Sequence, residues 1–417
     1  MTWTRVTTQL AVGQTDMTVS STTGWAVGDD IVIAPSFNNA LEYERVTITG
    51  VSGSTVSFTP AAQFTHFGNP TAVTYLTNTL DMRSAVGHVS RKIKFVRGTN
   101  ITDSELWGFR LLVTPVDSTR PPWINLRGVQ FVEGGQFTPN TSAALHFFNT
   151  RLAAGSTGTI DSCSFTNCNG YCLRLENNTG LTFTKNVFYE GRRFIASVEG
   201  QINYSFTNNL MIGARVLRSY EPLNASTPIP DDVACYHQFK SLNWATDNNM
   251  VTDNLCQGSQ LEGFVLPFTP CALTGVTSTS FARNTAGTCA IGFLLNGNGS
   301  CLAAQTLYAY ACTVGVMANP PNTTRLQYSN LMLADNKRGL TLRNGYLNTT
   351  GDSNVAVVSN SWFSALSRPT CSYCYGASAT SCSNNIAIRL MESTANGKLL
   401  PNSFGLSFDD VDSFGAF

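Results

Sequence analysis

Glu176 and Glu199 are the two carboxylates in this sequence best placed to work together, 23 residues apart. Glycoside cleavage needs such a pair: one group protonates the leaving oxygen, and the other attacks or stabilises the sugar. Solvated turn positions explain the same pair equally well. His146, in the run Leu145-His146-Phe147-Phe148, reads either as a groove histidine or as a satisfied strand histidine. His66 reads as a packed, hydrogen-bonded strand residue, and His88 and His237 have no partner visible in sequence. No Gly-x-Ser-x-Gly elbow occurs, nor a phosphate-binding glycine loop. Asp409-Asp410-x-Asp412 lacks an EF-hand spacing and reads as a solvated acidic tail. The sequence implies no cofactor.

Twelve cysteines carry the second kind of chemistry: Cys163, Cys168, Cys172, Cys235, Cys256, Cys271, Cys289, Cys301, Cys312, Cys371, Cys374 and Cys382. Their number is even and several cluster, so they are expected to be mostly bridged, in an oxidising compartment. Zinc is the rival reading of Cys371-x-x-Cys374. A structural zinc site needs a second pair at similar spacing; Cys382 adds one ligand and no histidine lies near. Glycosylation sequons stand at Asn100, Asn140, Asn177, Asn203, Asn224, Asn298, Asn322 and Asn348. A chain this rich in Asn, Ser and Thr would hold about eight by chance, so they permit glycans without demonstrating them.

Charged residues make up 12% of the chain and balance to zero net charge. That excludes the basic footprint of a nucleic-acid binder. No apolar run approaches the roughly 18 residues of a membrane span. The opening residues Met1 to Arg5 lack the apolar stretch of a signal peptide. Abundant Thr, Ser, Asn and Gly, with 42% hydrophobic residues, point to strands and turns around a sizeable core.

The positioning elements come from a repeat. Ile160, Cys163, Phe165 and Tyr171 recur as Phe183, Asn186, Phe188 and Phe194, then as Phe206, Asn209, Met211 and Leu217, with a shift of 23 each time. Strand-sized apolar pairs at such a period mark one coil of a β-solenoid. Asn254, Asn284, Asn330 and Asn360 continue the series, and the steps Asn209 to Asn254 and Asn284 to Asn330 are each expected to hold two coils. Asn at the turn is expected to take the left-handed conformation and bond to its equivalent in the next coil. Tyr220 to Ala234, Asn319 to Asn322 and Pro369 to Ser383 read as loops leaving the solenoid. Before the repeat, Thr18 to Ser20, Ile31 to Ile33, Val46 to Ile48 and Val56 to Phe58 alternate like short strands.

Trp25-x-Val27-Gly28-Asp29-x-Ile31-x-Ile33-Ala34, then Glu44, Ile48, Val51, Gly53, Val56 and Pro60, then Phe64-x-His66-x-Gly68, resemble the second half of the domain named for its eight glycines. Val86-Gly87-x-x-Ser90-Arg91-x-Ile93-x-Phe95, the stretch Thr159 to Gly191 and the stretch Tyr236 to Cys271 are similar to the β-helix of the same proteins. This family includes fibrocystin, fibrocystin-L and the cell-migration-inducing hyaluronidase, and the resemblance covers roughly residues 3–300. It implies an all-β chain: a right-handed parallel β-helix with an N-terminal β-rich partial eight-glycine-type domain. The expected division is 1–84 for that domain, 85–368 for the β-helix and 369–417 for a Cys-rich loop and C-terminal β segment.

The resemblance also implies an extracellular or cell-surface location. Hyaluronidase-like members carry a His-Phe-His run, and here Phe148 replaces the second His. Leu175-Glu176-Asn177 and Arg192-Arg193-Phe194-Ile195 likewise depart from their histidine-bearing coils. The expectation is a non-enzymatic structural protein of a surface coat, ciliary appendage or filament. Its partners would be other copies of itself or other coat proteins, with glycans as a further class. The alternatives are a polysaccharide-active enzyme, with Glu176, Glu199 and His146 as its residues, and a carbohydrate-binding adhesive module.

Overall fold

The computed structural model describes residues 1–37, 39–68, 72–98, 107–117, 119, 122–136, 142–150, 157–215, 233–238, 248–267, 269–270, 281–296, 301–319, 325–344, 354–364, 386–392 and 404–414. Among these residues every regular element is a strand, and no helix is long and apolar enough to cross a membrane.

The alternating segment forms a six-stranded antiparallel sheet. Its order is Trp3–Arg5, Ala85–His88, Asp30–Ile33, Glu44–Ser52, Thr55–Thr59, Asp16–Thr18. Alternation puts Ile31, Ile33, Val46, Ile48, Val56, Phe58 and Val86 into one small core with Trp25. His66 is fully buried beside it, with Nδ1 2.9 Å from Ala34 O and Nε2 2.7 Å from the Glu44 carboxylate. That carboxylate also accepts the Gln63 and Phe64 backbone N–H groups.

From Ile93–Val96 onward the strands stack in parallel as a right-handed β-helix, three faces to a coil. One face, the docked face, runs through Val129–Val132, Ser164–Cys168, Val187–Arg192 and Leu210–Arg215. The front face runs through Leu111–Val113, Ala143–Phe148, Tyr171–Glu176, Phe194–Glu199 and Ala234–Gln238. The third runs through Trp123–Arg127, Thr157–Asp161, Leu181–Thr184, Ser205–Thr207 and Met250–Thr252. The 23-residue shift is the register of the stack: Ile160 pairs with Phe183 and Phe183 with Phe206, while Phe165 pairs with Phe188 and Phe188 with Met211. Inside, Phe131, Phe165 and Phe188 stack ring on ring at 4.5 and 4.7 Å.

Two details of the repeat differ from the sequence reading. The step Asn209 to Asn254 is one coil, because Leu210 pairs directly with Leu255; the added residues leave the stack before and after Ala234–Gln238. The step from Asn284 does hold two coils, but the column continues through Leu307 and Leu331. Asn330 and Asn360 stand one residue earlier. That earlier position is the left-handed one: Ser162, Lys185, Asn208, Asp253, Arg283, Thr306, Asn330 and Asn360 all have φ between 46° and 59°. The ladder asparagines Asn186, Asn209, Asn254 and Asn284 follow it and point inward, fully or almost fully buried. Each Oδ1 accepts both the backbone N–H and the side-chain amide of the asparagine in the coil before it, at 3.0–3.1 Å. Each amide also reaches the carbonyl of Ile160, Phe183, Phe206 or Val251.

Cys168–Cys172 and Cys235–Cys256 are disulfides. Cys163, Cys289 and Cys312 are buried thiols, contrary to the expectation of bridging. Their coil-to-coil neighbours explain this. Cys163 and Cys312 hold ladder positions and give their N–H to Asn186 and Asn336, so the residue stacked above each is not a cysteine. Cys289 does neighbour Cys312, but the Cys312 sulfur accepts the Cys289 N–H at 3.4 Å. Cys271, Cys371, Cys374, Cys382 and the side chain of Cys301 lie outside the described residues, as do the sequons at Asn100, Asn140, Asn224, Asn298, Asn322 and Asn348 and nearly all of the three proposed loops. Asn177 and Asn203 are described and both are exposed at turns.

The sheet lies along the docked face. Val32, Ala34, Tyr43, Ala85 and Val89 pack on the outward side chains Val187, Tyr189, Leu210, Ile212 and Leu255. Gln257 ties the two together, accepting Ala85 N–H at 3.0 Å and donating to Pro35 O at 2.7 Å. Gly213, at φ +76°, lets the Tyr43 ring approach, since a Cβ there would sit 3.0 Å from it. Further along, Leu80 and Met82 cover Tyr308, Tyr310, Met332 and Trp362.

Candidate functional site

With one outer face occupied, the front face carries the ionisable groups. His146 pairs in register with Arg174, and Arg174 with Ser197, which pairs with His237. Two residues further along the strands, Phe148 pairs with Glu176 and Glu176 with Glu199. Paired residues of neighbouring parallel strands stand about 4.8 Å apart, so the two expected carboxylates do share one face on consecutive coils. Beside them Tyr171 and Phe194 stack at 5.5 Å, with Arg174 over the first ring, Arg193 over the second and His237 against Phe194 at 4.3 Å.

Hydrogen bonds fix the roles of the central groups. Arg110 donates to His146 Nδ1 at 2.5 Å. Arginine only donates, so Nδ1 is the accepting nitrogen. Nε2 then carries the hydrogen and donates to Glu176 Oε2 at 2.8 Å. Glu176 Oε1 is held by Arg174. His146 is pushed down to about 4, first by burial and then by the Arg110 and Arg174 charges, against the opposing pull of Glu176. The two observations agree on a neutral imidazole with its lone pair already engaged. His237 is likewise pushed down to about 4 by burial and by Arg193.

The chain Arg110–His146–Glu176–Arg174 therefore positions its members and leaves them little to give. A general base needs an available lone pair, and a general acid needs an oxygen free to pass its proton. His146 and both oxygens of Glu176 are committed. His88 gains a partner the sequence did not reveal, Asp29 at 3.0 Å, and burial holds its titration below the ordinary histidine value. Among the described residues no three His, Cys, Asp or Glu side chains converge to hold a metal ion. The side chains of Asp409, Asp410 and Asp412 lie outside the described residues. Arg110 and Arg174 were missed in the sequence because the coil between His146 and Arg174 runs 28 residues and hides their register.

No family model matches the chain. Curated proteins of Dictyostelium discoideum do. A G8 domain-containing protein is 23% identical over 218 residues, covering 52% of this chain and 14% of its own length. A second is 24% identical over 197 residues, covering 46% and 13%, and protein rliB is 23% identical over 223 residues, covering 53% and 18%. The chain thus spans less than a fifth of the length of these relatives. Among solved structures, the tailspike gp61 of Pseudomonas phage phi297 is similar with a TM-score of 0.20 at 11% identity, covering 95% of this chain and 58% of that one. The catalytic domain of an α-1,3-glucanase in complex with tetrasaccharides is similar with a TM-score of 0.24 at 9% identity, covering 98% and 96%. The sequence matches thus fall on proteins named for the eight-glycine domain to which residues 25–68 were compared.

Proposed function

We propose that this chain is a non-enzymatic structural segment of an extracellular surface protein of the fibrocystin-like kind, a stiff rod contributing to a coat, appendage or filament. The observation that carries the reading is the closed chain Arg110–His146–Glu176–Arg174, which commits the lone pair and the carboxylate that glycoside cleavage would need. Disulfides within the stack fit an oxidising compartment. Partners of this rod would be further copies of the chain or other coat proteins. Incubating the purified protein with hyaluronan and sizing the polymer is the test. The polymer length should stay unchanged, for the parent and for Glu176→Gln alike; shortening that Glu176→Gln abolishes would sink the reading.

One observation favours a second reading, glycan binding without turnover. Phe148 is 40% exposed on the front face, its ring edge-on to His146 at 5.9 Å. An exposed ring beside fixed polar groups is a platform on which a sugar can stack. Retention on immobilised polysaccharide that Phe148→Ala removes would support it.

A further inference from the structure

The Cys235–Cys256 disulfide lies in the solenoid core with a free thiol against it. Cys289 Sγ stands 3.8 Å from Cys256 Sγ, in van der Waals contact, and both are buried. Cys235 and Cys256 sit on the adjacent strands Ala234–Gln238 and Leu255–Pro267, and Cys289 on Asn284–Asn296 in the coil above. The Cys289 thiol donates to Gly287 O at 3.3 Å, and its own N–H is received by Cys312. The position of Cys289 is thus fixed by its neighbours, one sulfur diameter from the bridge.

We infer that this trio is an internal thiol–disulfide exchange site, in which the bridge moves from Cys235–Cys256 to Cys256–Cys289. The Cys289 sulfur, on losing its proton, attacks the Cys256 sulfur. The S–S bond to Cys235 breaks, and the Cys235 sulfur leaves as thiolate and takes up a proton. One disulfide and one thiol stand on each side, so no oxidant or reductant enters. The exchange changes what is tied down. In the first state the front-face strand Ala234–Gln238, which carries His237 against Phe194, is fastened to the next strand of the stack. In the second state the bridge links Leu255–Pro267 to Asn284–Asn296 and that front-face strand is released.

The thiolate is the attacking species. Burial, with the Cys312 contact, holds the Cys289 thiol well above its ordinary value. Exchange is therefore slow at neutral pH and quickens about tenfold per pH unit as the thiolate fraction rises.

The test uses the whole chain, without added thiol, held at pH 7 and at pH 9. Samples are quenched in acid, denatured, alkylated at low pH, digested without reduction and mapped by mass spectrometry. The Cys235–Cys256 peptide should give way in part to Cys256–Cys289, sooner at pH 9, with Cys235 becoming alkylated and the total of free thiols unchanged. Hydrogen exchange at Ala234–Gln238 should rise in step. Cys289→Ser should keep the original bridge alone at both pH values, while Cys312→Ser should still exchange. Failure of the Cys256–Cys289 peptide to appear in the parent protein at either pH overturns the inference. So does its appearance only together with bridges from Cys289 to Cys168 or Cys172, the mark of scrambling in an unfolded chain.

Discussion

His146 is buried beside two arginines and one glutamate, and its charge state decides what the front face can do. Its titration near 4 in the folded protein contrasts with an ordinary histidine value of 6.5 in the unfolded chain. Between those values the unfolded state binds more protons, so stability rises with pH across that window. The stabilisation is complete above about pH 6.5 and is lost as the pH falls towards 4, on the order of 2–3 kcal/mol for this one residue. His237 adds in the same direction. Denaturant unfolding between pH 7 and 4.5 should register the fall. Nitrogen-15 spectra should find His146 in the Nε2–H tautomer down to about pH 5, and Arg110→Met should move its titration upward. A midpoint near the ordinary value in the parent would show that Arg110 does not hold Nδ1. At this scale the residue types were legible and their engagement was not. Sequence offered Glu176, Glu199 and His146 as possible chemistry; Arg110 and Arg174, which commit His146 and Glu176, are set by a register that the five extra residues of that coil conceal.

The ladder of asparagines is what makes separate coils into one element. Asn209 receives Asn186 and gives to Asn254 and to Phe183 O, all in the dry interior. Asn209→Ala would leave the Asn186 N–H and the Phe183 carbonyl buried without partners, at about 1–3 kcal/mol each, so a loss of about 2–5 kcal/mol in unfolding free energy is expected. One position earlier the demand is different. Lys185 is exposed at φ 54°, where a Cβ is strained and no ladder bond depends on the side chain. Lys185→Gly should therefore stabilise, by about 0.5–1 kcal/mol once the glycine's extra unfolded-state freedom is subtracted. Opposite signs at neighbouring positions, read from denaturation midpoints, separate the ladder from the turn. The 23-residue period was legible because Ile160, Phe183 and Phe206 share their offset with Phe165, Phe188 and Met211. It misled where chain leaves the stack, because counting residues cannot tell 45 residues in two coils from 45 in one coil with excursions.

The whole molecule depends on a contact that no local pattern announces. Val187, Tyr189, Leu210, Ile212 and Leu255 are apolar on the outer side of the docked face, where a free solenoid would place polar residues. In sequence they read only as strong strands. Their burial requires the N-terminal sheet, and the sheet in turn leans Tyr43 into the space left by Gly213. Each partner thus covers apolar surface that the other would expose to water, and the two are expected to unfold together. Gln257→Ala removes the acceptor of Ala85 N–H and the donor to Pro35 O, two buried groups, for about 2–5 kcal/mol. Combined with Tyr43→Ala, which empties the contact with Tyr189 and Gly213, it should undock the sheet while leaving the asparagine ladder untouched. Calorimetry of the parent should give one transition spanning sheet and solenoid. The double variant should give two, the earlier one accompanied by binding of a hydrophobic dye to the bared docked face and by proteolytic cleavage near Ser90 to Lys92. A double variant that still melts in one step, at a lower temperature, would mean that the sheet gains its stability from the small core around Ile31, Val46 and Phe58 and from the His66–Glu44 pair, with the docked face contributing only area.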